Sequence, residues 1–483
     1  MTNLLTRGLL LLMLGAQLAF SQNIFGSFTG VVTDPSGSVV PNAIVTARNT
    51  GTAAAFTSRS DGEGVFWIRT LPVGVYDITG ELAGFQKFEA RGVRVQVDEV
   101  VRVDIKLTVG SNAETVSVSA VASTVDTTTA TLKAVVDQKR IEELPLNGRN
   151  ATQLMRMIVG VTNDPNAGVT SGTTYPGTNP VSVNGNRSNN TNYILDGAQN
   201  NDLYSNAPNP LPNPDALQEF SVQTNNFSAE FGRQSGGIVN AVTKSGSNEY
   251  HGTLFEYVRN NALNAANFFA PIVNGAKLTD GLKRNQFGGT WGGPSTIPKL
   301  YRAKDRTFFF FAYQGTLTRR TPIATSVIVP TPAQRTGDFS ALLPGKPIRD
   351  PLANAPYPNN VIPASQFNQI SKYIIDNTVP LPASGGNRVF YAIPNPVDDH
   401  QVTVRGDHSF SDKNRISGRY YKSWASSPPF LDQKNVLAQT SGGNWYNESV
   451  TITDTHTFTA NLVNQALFSF NHTDGAFVPI QPT

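Results

Sequence analysis

The chain contains no cysteine among its 483 residues. This absence excludes disulfide bonds, thiolate metal sites, cysteine nucleophiles and a lipidated N-terminal cysteine. It is compatible with an oxidising compartment, where an unpaired thiol would be a hazard.

Charged and catalytic residues are also scarce. Charged residues make up 15% of the chain and the net charge is +3, with both signs interspersed, so we expect no nucleic-acid partner. Five histidines are scattered, and no Gly-x-Ser-x-Gly, phosphate-loop or His-Glu-x-x-His motif occurs. His400 and His408 could share a strand face, but about 26 Å apart at roughly 3.3 Å per residue they could not share a metal. The pair Asp398-Asp399 lies beside the start of a predicted strand, and we expect it to be solvated. We therefore predict no enzyme, no catalytic residue, no metal site and no cofactor.

Long apolar runs are missing after the N-terminus. Residues 1–21 combine Arg7, a short apolar core and a small-residue end at Ser21, which predicts a cleaved secretory signal peptide. Its apolar stretch is shorter than the roughly 20 residues of a spanning helix. No later segment approaches that length, so a membrane form of this chain must cross as a closed barrel.

Turn-forming residues, by contrast, are abundant. The 41 Gly and 31 Pro residues, with a hydrophobic content of 39%, favour a mainly β protein. In residues 22–109, short alternating stretches are separated by turn sequences such as Asp-Pro-Ser-Gly at 34–37 and Asp-Gly-Glu-Gly at 61–64. Several short strands at this spacing predict a β-sandwich.

The region 247–483 shows seven candidate strands with a regular rhythm of connections. The predicted strands are residues 250–259, 285–292, 306–320, 399–410, 414–424, 445–459 and 463–473. The gaps between them are about 25, 13, 78, 3, 20 and 3 residues. Antiparallel barrels of the outer membrane alternate short periplasmic turns with longer outer loops in this way. We therefore predict about seven strands of such a barrel.

Within these strands the polar and apolar residues alternate. Val402 and Val404 share one face, whereas Thr403 and Arg405 take the other, and five threonines line one side of residues 451–459. Period-two alternation is typical of a barrel, and equally of any half-buried antiparallel sheet. Aromatic clusters at 308–313, 420–424 and 445–446 could form membrane-interface girdles, or could pack in a core.

Residues 110–136 form a Ser/Thr/Val/Ala-rich linker. It contains a strand-prone run without long side chains: Glu114, Thr115, Val116, Ser117, Val118, Ser119 and Ala120. A free segment of this kind can add to an exposed sheet edge of another protein. The alternatives are the last strand of the preceding sandwich or a plain linker.

Residues 137–246 mix short helices, turns and strands. Helical runs are predicted at 137–144 and 151–158, and a turn at 146–150. The segments 144–150, 184–187, 195–197 and 230–239 together resemble the plug domain of a TonB-dependent outer-membrane receptor. Residues 22–109 resemble the carboxypeptidase regulatory-like (transthyretin-like) domain. The combination of the regulatory-like domain, the plug and the strands that follow is similar to the Oar-like branch of the TonB-dependent receptors.

The resemblance implies a fold and a set of partners. The fold is mainly β, with a transthyretin-like β-sandwich, a small α+β plug and the first, incomplete part of a transmembrane β-barrel in the outer membrane. Residues 114–120 would be the TonB box, the segment that the inner-membrane energy complex pulls. The implied plug positions are Asn147, Gly148, Arg149, Asn150, Arg187, Asp196 and Gly197. We expect them to hold plug conformation and barrel contacts more than to touch ligand.

The resemblance also implies uptake of a bulky or scarce extracellular ligand, such as a siderophore, glycan or peptide. The ligand would bind at the plug apices and the long loops, chiefly residues 321–398. Two alternatives stay open: a surface protein for adhesion or matrix interaction, and an accessory module of an exported peptidase. Because seven strands are far fewer than the roughly 22 of a plugged transporter, we expect the chain to be a fragment.

Overall fold

The computed structural model describes residues 24–110, 115–119, 129–163 and 175–480. The last range has gaps at 176–177, 179, 205, 229, 233, 271, 274, 278, 280, 298, 321–324, 383–385 and 460–461. The signal-peptide prediction for residues 1–21 lies outside the described residues. Among the described helices, none has the length and apolarity needed to cross a bilayer.

The N-terminal part is a sandwich of two β-sheets. Its strands are β1 (Gly26–Thr33), β2 (Ile44–Asn49), β3 (Ala55–Arg59), β4 (Val65–Leu71), β5 (Gly74–Glu81), β6 (Lys87–Val95), β7 (Val100–Arg102), β8 (Ile105–Lys106) and β9 (Thr115–Ser119). One sheet has the order β4-β1-β7, with β8 also paired to β1, and the other has the order β3-β2-β5-β6-β9. Alternate residues of both sheets, including Phe28, Phe66 and Tyr76, fill one buried apolar core. The sandwich prediction is therefore confirmed.

The middle domain follows, and it is an α+β unit around a five-stranded sheet. Its strands are β10 (Leu132–Asp137), β11 (Val161–Asn163), β12 (Val181–Val183), β13 (Asn192–Leu195), β14 (Ala198–Gln199), β15 (Leu217–Asn225) and β16 (Ile238–Thr243). The sheet order is β10-β15-β16-β13-β14, and β11 pairs with β12. Helix α1 (Gln138–Glu143) and 3₁₀ helices at Ala151–Met157, Ser188–Asn190 and Pro214–Ala216 complete the domain. Both helical runs predicted from the sequence are present.

The remaining residues form a curved antiparallel sheet with long excursions. Its strands are β17 (His251–Asn260), β18 (Ile272–Val273), β19 (Ala276–Lys277), β20 (Lys283–Pro294), β21 (Thr307–Arg319), β22 (Thr325–Ile328), β23 (Arg388–Tyr391), β24 (Val397–Ser411), β25 (Asn414–Ser427), β26 (Phe430–Asp432), β27 (Asn435–Thr440), β28 (Gly442–Thr459) and β29 (Leu462–Val478). Helices α2 (Pro332–Arg335) and α3 (Gln369–Thr378) and 3₁₀ helices at Asn261–Leu263, Ser340–Leu342, Pro358–Asn360 and Ala364–Gln366 lie in its connections.

Seven of these strands build one sheet, which we call the wall. Its order is β17-β20-β21-β24-β25-β28-β29, and every neighbouring pair is antiparallel. Among the described residues β17 and β29 do not pair, so the sheet is not closed. Residues 261–282, 320–396 and 428–441 leave one end of the wall, and short turns join the strands at the other. The predicted strands and their rhythm are confirmed, although most strands extend beyond the predicted limits.

The wall reverses the usual distribution of polar and apolar side chains. Its concave face is polar and covered by the middle domain: Thr403 is 0% exposed, and Thr451 and Thr453 are each 3% exposed. Its convex face is apolar and exposed, with Ile452 at 41% and Phe468 at 62%. A soluble sheet would bury the opposite face, so this distribution is that of a wall whose outer side faces hydrocarbon.

The aromatic clusters divide between the two faces. Phe308 and Phe310 are buried on the concave side, where Phe310 packs on Ala216 of the middle domain, and Tyr421 is 0% exposed there. Trp424 stacks on His400 on the convex side, with ring centroids 5.2 Å apart. The clusters thus supply both buried packing and exposed rings on the convex side, because neighbouring residues of one strand point to opposite faces.

Candidate functional site between the middle domain and the wall

The turn that contains Asn147–Asn150 projects from the middle domain to the wall. Gly148 and Arg149 have φ of 78° and 51°, in the left-handed region, where glycine is the default residue. Gln153 holds the turn through two hydrogen bonds to the backbone of Asn147. Asn150 caps the following 3₁₀ helix by accepting from the backbone N–H of Thr152. Local geometry therefore fixes which groups of the turn face the wall.

Two strands of the wall bind this turn at the end with the long connections. Arg259 donates to Asn147 Oδ1 at 2.6 Å, and Arg284 donates to the same oxygen at 3.4 Å. Gln286 donates to the carbonyl of Gly148 at 3.1 Å. A Cβ on Gly148 would lie 2.5 Å from Arg284 Nη1, so the close approach also favours glycine.

Arg149 is the most enclosed contact of the turn. It forms an ion pair with Asp215 of the middle domain and donates to Gln314 of the wall at 3.3 Å. Its guanidinium carbon lies 4.6 Å from the ring centroid of Phe255 and 4.2 Å from that of Tyr257. Ring faces attract a cation at these distances, so Arg149 joins the turn to β17 and β21 at once.

A second contact, the ionic cluster, is centred on Asp196, which is 5% exposed. Asp196 and Gly197 take φ of 49° and 81°, and the tight turn directs the carboxylate toward β16. There it accepts from the backbone N–H and the hydroxyl of Thr243, both at 2.9 Å. Two guanidiniums of the wall complete the cluster, those of Arg419 at 2.9 Å and Arg405 at 3.6 Å.

Wall side chains hold both arginines in place. Arg419 donates to Ser449 Oγ and Thr451 Oγ1, each at 2.7 Å. Arg405 pairs with Asp407 at 3.0 Å and donates to the carbonyl of Thr243 at 2.9 Å. The cluster thus balances two carboxylates against two guanidiniums, which lowers the cost of burying each charge.

A cavity of about 450 Å³ opens beside the Asn147–Asn150 turn, at the end with the long connections. Its lining includes Asn147, Asn209, Asn213, Arg284, Arg320 and Asp399. The side-chain N–H groups of Asn209 and Asn213, residues that are 4% and 3% exposed, have no hydrogen-bond partner among the described residues. The cavity therefore presents buried donors to whatever fills it.

The other residues singled out from the sequence lie apart from this interface. Arg187 is exposed on the middle domain, and within the described part of the chain only its backbone carbonyl is hydrogen-bonded, accepting from the backbone N–H of Asn190. Thr115–Ser119 forms β9 at the edge of the sandwich, where it pairs in parallel with β6. That placement corresponds to the alternative of a last sandwich strand. Glu114 and Ala120 lie outside the described residues.

One expectation about the wall is wrong. Asp398 and Asp399 are not simply solvated: Asp398 pairs with Arg319, and Asp399 accepts from the hydroxyl of Tyr175 at 2.5 Å. Sequence reasoning also missed Arg405 and Arg419 as partners of Asp196. The only signal was their position on the polar face of alternating strands. No group of three His, Asp or Glu among the described residues is arranged to hold a metal ion.

Comparisons with protein families match nearly all of the chain. Residues 27–108 match the carboxypeptidase regulatory-like domain, residues 124–239 the TonB-dependent receptor plug domain, and residues 242–482 an outer membrane beta barrel domain. The chain is also similar to the TonB-dependent transporter Oar of Myxococcus xanthus, with 27% identity over 317 residues. That alignment covers 63% of this chain and 27% of the relative, so the chain spans about a quarter of the relative's length.

Solved structures also match the chain, at lower identity. The ferric enterobactin receptor PfeA of Pseudomonas aeruginosa is 13% identical with a TM-score of 0.40, covering 71% of this chain and 40% of that one. The outer membrane transporter YddB of Escherichia coli is 12% identical with a TM-score of 0.42, covering 71% and 39%. The siderophore receptor PirA of Acinetobacter baumannii is 13% identical with a TM-score of 0.41, covering 71% and 40%.

Proposed function

The chain belongs to the TonB-dependent receptors of the outer membrane, and on that premise we propose that the full-length protein imports a bulky or scarce ligand with energy delivered through TonB. In this proposal the middle domain is the plug, and the wall is part of the barrel that surrounds it. The direct partners are TonB with the inner-membrane energy complex, outer-membrane lipid and an extracellular ligand.

The observation that carries the proposal is the polar contact between plug and wall. The plug has its own apolar core, which includes Leu154, Tyr193 and Phe220. It meets the wall mainly through ion pairs and hydrogen bonds, above all those of Asp196, beside one small apolar contact of Ala216 with Phe310 and Ala312. Polar groups that separate can be hydrated, whereas apolar surfaces that separate expose hydrocarbon to water. This interface suits a plug that must shift inside its barrel and return.

The cavity beside the Asn147–Asn150 turn is the proposed entry point of the ligand. It lies at the end of the wall with the long connections, which is the outer side in barrels of this type. Its guanidinium and amide N–H groups favour an oxygen-rich ligand. A siderophore, a glycan or a peptide would each supply such oxygens.

Residues 114–120 are the proposed coupling segment. They precede the plug, and the described part of the segment has a strand conformation. An extended segment offers backbone N–H and C=O groups to a partner strand, whatever its side chains. The plug positions 147–150, 196 and 197 would then hold the resting plug against the wall.

The alternatives from the sequence receive less support. The named relatives are transporters and receptors, so the comparisons do not favour adhesion. The same names describe no peptidase or other enzyme.

A deletion of residues 114–120 in the full-length gene tests the proposal. We expect the deletion to abolish energy-dependent uptake while surface binding of the same ligand persists. Uptake and binding would be measured with a panel of labelled ferric siderophores, oligosaccharides and peptides. Deletion of residues 122–128, seven residues of the same linker, is the matched control and should leave uptake largely intact. Unchanged uptake after the first deletion would refute the coupling assignment.

A further inference from the structure

The sandwich contacts the plug through the turn between β6 and β7. In this turn the carboxylate of Asp98 accepts from Asn240 Nδ2 at 2.8 Å and from Gln223 Nε2 at 3.2 Å. Glu219 of β15 accepts from the backbone N–H of Val97. Val97 and Val242 pack with Ile24 and Phe25 in a small buried cluster between the domains. The turn therefore lies on the two strands β15 and β16 in the middle of the plug sheet.

The sandwich also contacts the wall, at the end with the short turns. Arg415, at the start of β25, donates to the carbonyl of Thr70 in the sandwich. Its guanidinium carbon lies 4.9 Å from the ring centroid of Phe25 and 5.0 Å from that of Phe56. Just before β17 in the chain, the backbone N–H of Asn248 donates to the carbonyl of Gly51 in the sandwich at 3.0 Å. One rigid domain is thus fastened to both the plug and the wall.

Each of these contacts encloses a charged group that forms no ion pair within 4.0 Å among the described residues, although Lys133 acts on Asp98 and Arg94 acts on Glu219 from farther away. Among the described residues the Asp98 carboxylate accepts from the neutral side chains of Asn240, Gln223 and Ser221, whereas Lys133 Nζ donates to the backbone carbonyl of Asp98 at 2.7 Å. Glu219 is 0% exposed, and its second oxygen has no hydrogen-bond partner among the described residues. Within the same residues Arg415 forms no ion pair, and its Nη1 has no hydrogen-bond partner.

Desolvation has a measurable consequence on the plug side. Burial raises the pKa of Asp98 to about 6 and that of Glu219 to about 7. A charge that is buried without an ion-pair partner regains its hydration when the contact opens. These contacts are therefore built to be reversible, unlike the apolar core inside each domain.

We propose that the sandwich is a releasable staple, which fastens the plug to the wall at the short-turn end and must detach before the plug can move. The staple consists of residues 96–99 on the plug side and Phe25, Phe56 and Thr70 on the wall side. Since the same domain is bound to both bodies, the plug cannot shift relative to the wall while both contacts persist. This inference rests on the proposed function, because it concerns the movement that transport would require.

A reversible cross-link tests the requirement for release. The full-length protein would carry Asp98→Cys and Asn240→Cys, joined as a disulfide by mild oxidation, and residues 1–483 contain no other cysteine. We expect energy-dependent uptake to fall more than tenfold and to return after reduction. The matched control joins Thr46→Cys and Thr57→Cys, neighbours within the sandwich whose hydroxyls lie 3.0 Å apart, and should leave uptake unchanged. Normal uptake by the Asp98–Asn240 cross-linked protein would overturn the staple.

A labelling experiment tests release without any ligand. Glu219→Cys places a thiol at a position that is 0% exposed while the staple is closed. We expect a hydrophilic thiol reagent in the periplasm to label it at least fivefold faster in cells with an energised inner membrane than after a protonophore. Equal labelling under both conditions would contradict energy-driven release.

Failure of the staple and failure of the proposed function give different results. If uptake survives deletion of residues 114–120, the coupling assignment fails whatever the cross-link does. If that deletion abolishes uptake but the Asp98–Asn240 cross-link does not, only the staple fails. The uncross-linked double-cysteine protein, assayed in the same cells, shows whether the substitutions themselves prevent assembly.

Discussion

Asp196 of the plug and Arg419 of the wall form an ion pair at 2.9 Å, in which the two side chains are only 7% and 3% exposed. The two residues lie on different domains, and Arg405 and Asp407 extend the pair into a four-membered cluster. The cluster is the central contact between a plug that is proposed to move and the barrel strands that stay in the membrane.

Loss of the Asp196 carboxylate should loosen the resting plug. Asp196→Ala leaves Arg419 and Arg405 enclosed with one carboxylate fewer, and breaking a buried pair in this way costs about 3–5 kcal/mol. We expect amide hydrogen exchange of residues 238–243 to accelerate accordingly, because Thr243 also loses its acceptor. Arg187→Ala, at an exposed plug position, is the control and should leave that exchange unchanged. Equal protection in both variants would show that the cluster does not hold the plug.

The turn at Gly148 offers a second, smaller test. Gly148→Ala should destabilise the turn by about 1 kcal/mol through its positive φ, and by more through the displaced Arg284 side chain. Gly185→Ala is a matched control, since Gly185 has φ of 75° with open space around its Cβ position. Hydrogen exchange of residues 146–153 should therefore rise more for Gly148→Ala than exchange of residues 183–187 rises for Gly185→Ala. An equal rise in hydrogen exchange for the two variants would show that the contact with Arg284 does not constrain the turn.

Docking of the sandwich should weaken as the pH rises. Docking raises the pKa of Asp98 from 3.8 to about 6 and that of Glu219 from 4.5 to about 7, chiefly by desolvation. The two carboxyl groups bind protons more tightly in the docked state than in the undocked state. Their contribution to docking is therefore fully present below about pH 4, and it is lost as the pH rises through the two raised pKa values. The charged groups that also act on the two carboxylates are Lys133 and Glu230 on Asp98, and Arg94, Glu99 and Asp137 on Glu219.

Proteolysis of the linker at residues 120–130 can report this pH dependence in the purified full-length protein. We expect faster cleavage at pH 8 than at pH 5, with a protease whose own activity is normalised on an unfolded substrate. The double variant Asp98→Asn and Glu219→Gln should flatten the difference, because neither amide titrates. A pH profile that is identical for both proteins would assign the effect to other groups.

The convex face of the wall should not tolerate charge. Phe468→Lys places a cation near the middle of β29 on the side that faces lipid, at a cost of about 2–4 kcal/mol. Ser469→Lys, the next residue on the concave face, is the matched control and should be tolerated far better. Heat-modifiability of the barrel in electrophoresis measures assembly. If both variants assembled equally well, the assignment of the two faces would be wrong.

The sequence predicted the strands of the wall well, because alternation is a local property that neighbouring residues specify. It predicted polar residues such as Thr403 and Arg405 on one face but not that this face would be the buried one. That outcome depends on the plug, whose Asp196 and Thr243 are more than a hundred residues away in the chain.

Long-range partners were the part that local patterns could not supply. Asp399 was expected to be solvated, yet it accepts from Tyr175, which no spacing rule connects with it. Strand propensity does not distinguish a free extended segment from a paired strand. The sequence therefore offers the pairing of Thr115–Ser119 with β6 only as one of several alternatives. The plug residues named from the sequence do not share one location. Asn147 and Asp196 contact the wall, whereas Arg187 is exposed on the plug.

Energy coupling is the central claim, and a cross-link to TonB tests it most directly. Ser117→Cys in the full-length receptor would be combined with single cysteines along the C-terminal domain of TonB and oxidised in intact cells. We predict a specific disulfide-linked pair that forms at Ser117→Cys and is absent for Ser36→Cys, on an exposed turn of the sandwich. No cross-link at residue 117, or equal cross-linking at both positions, would contradict coupling through this segment.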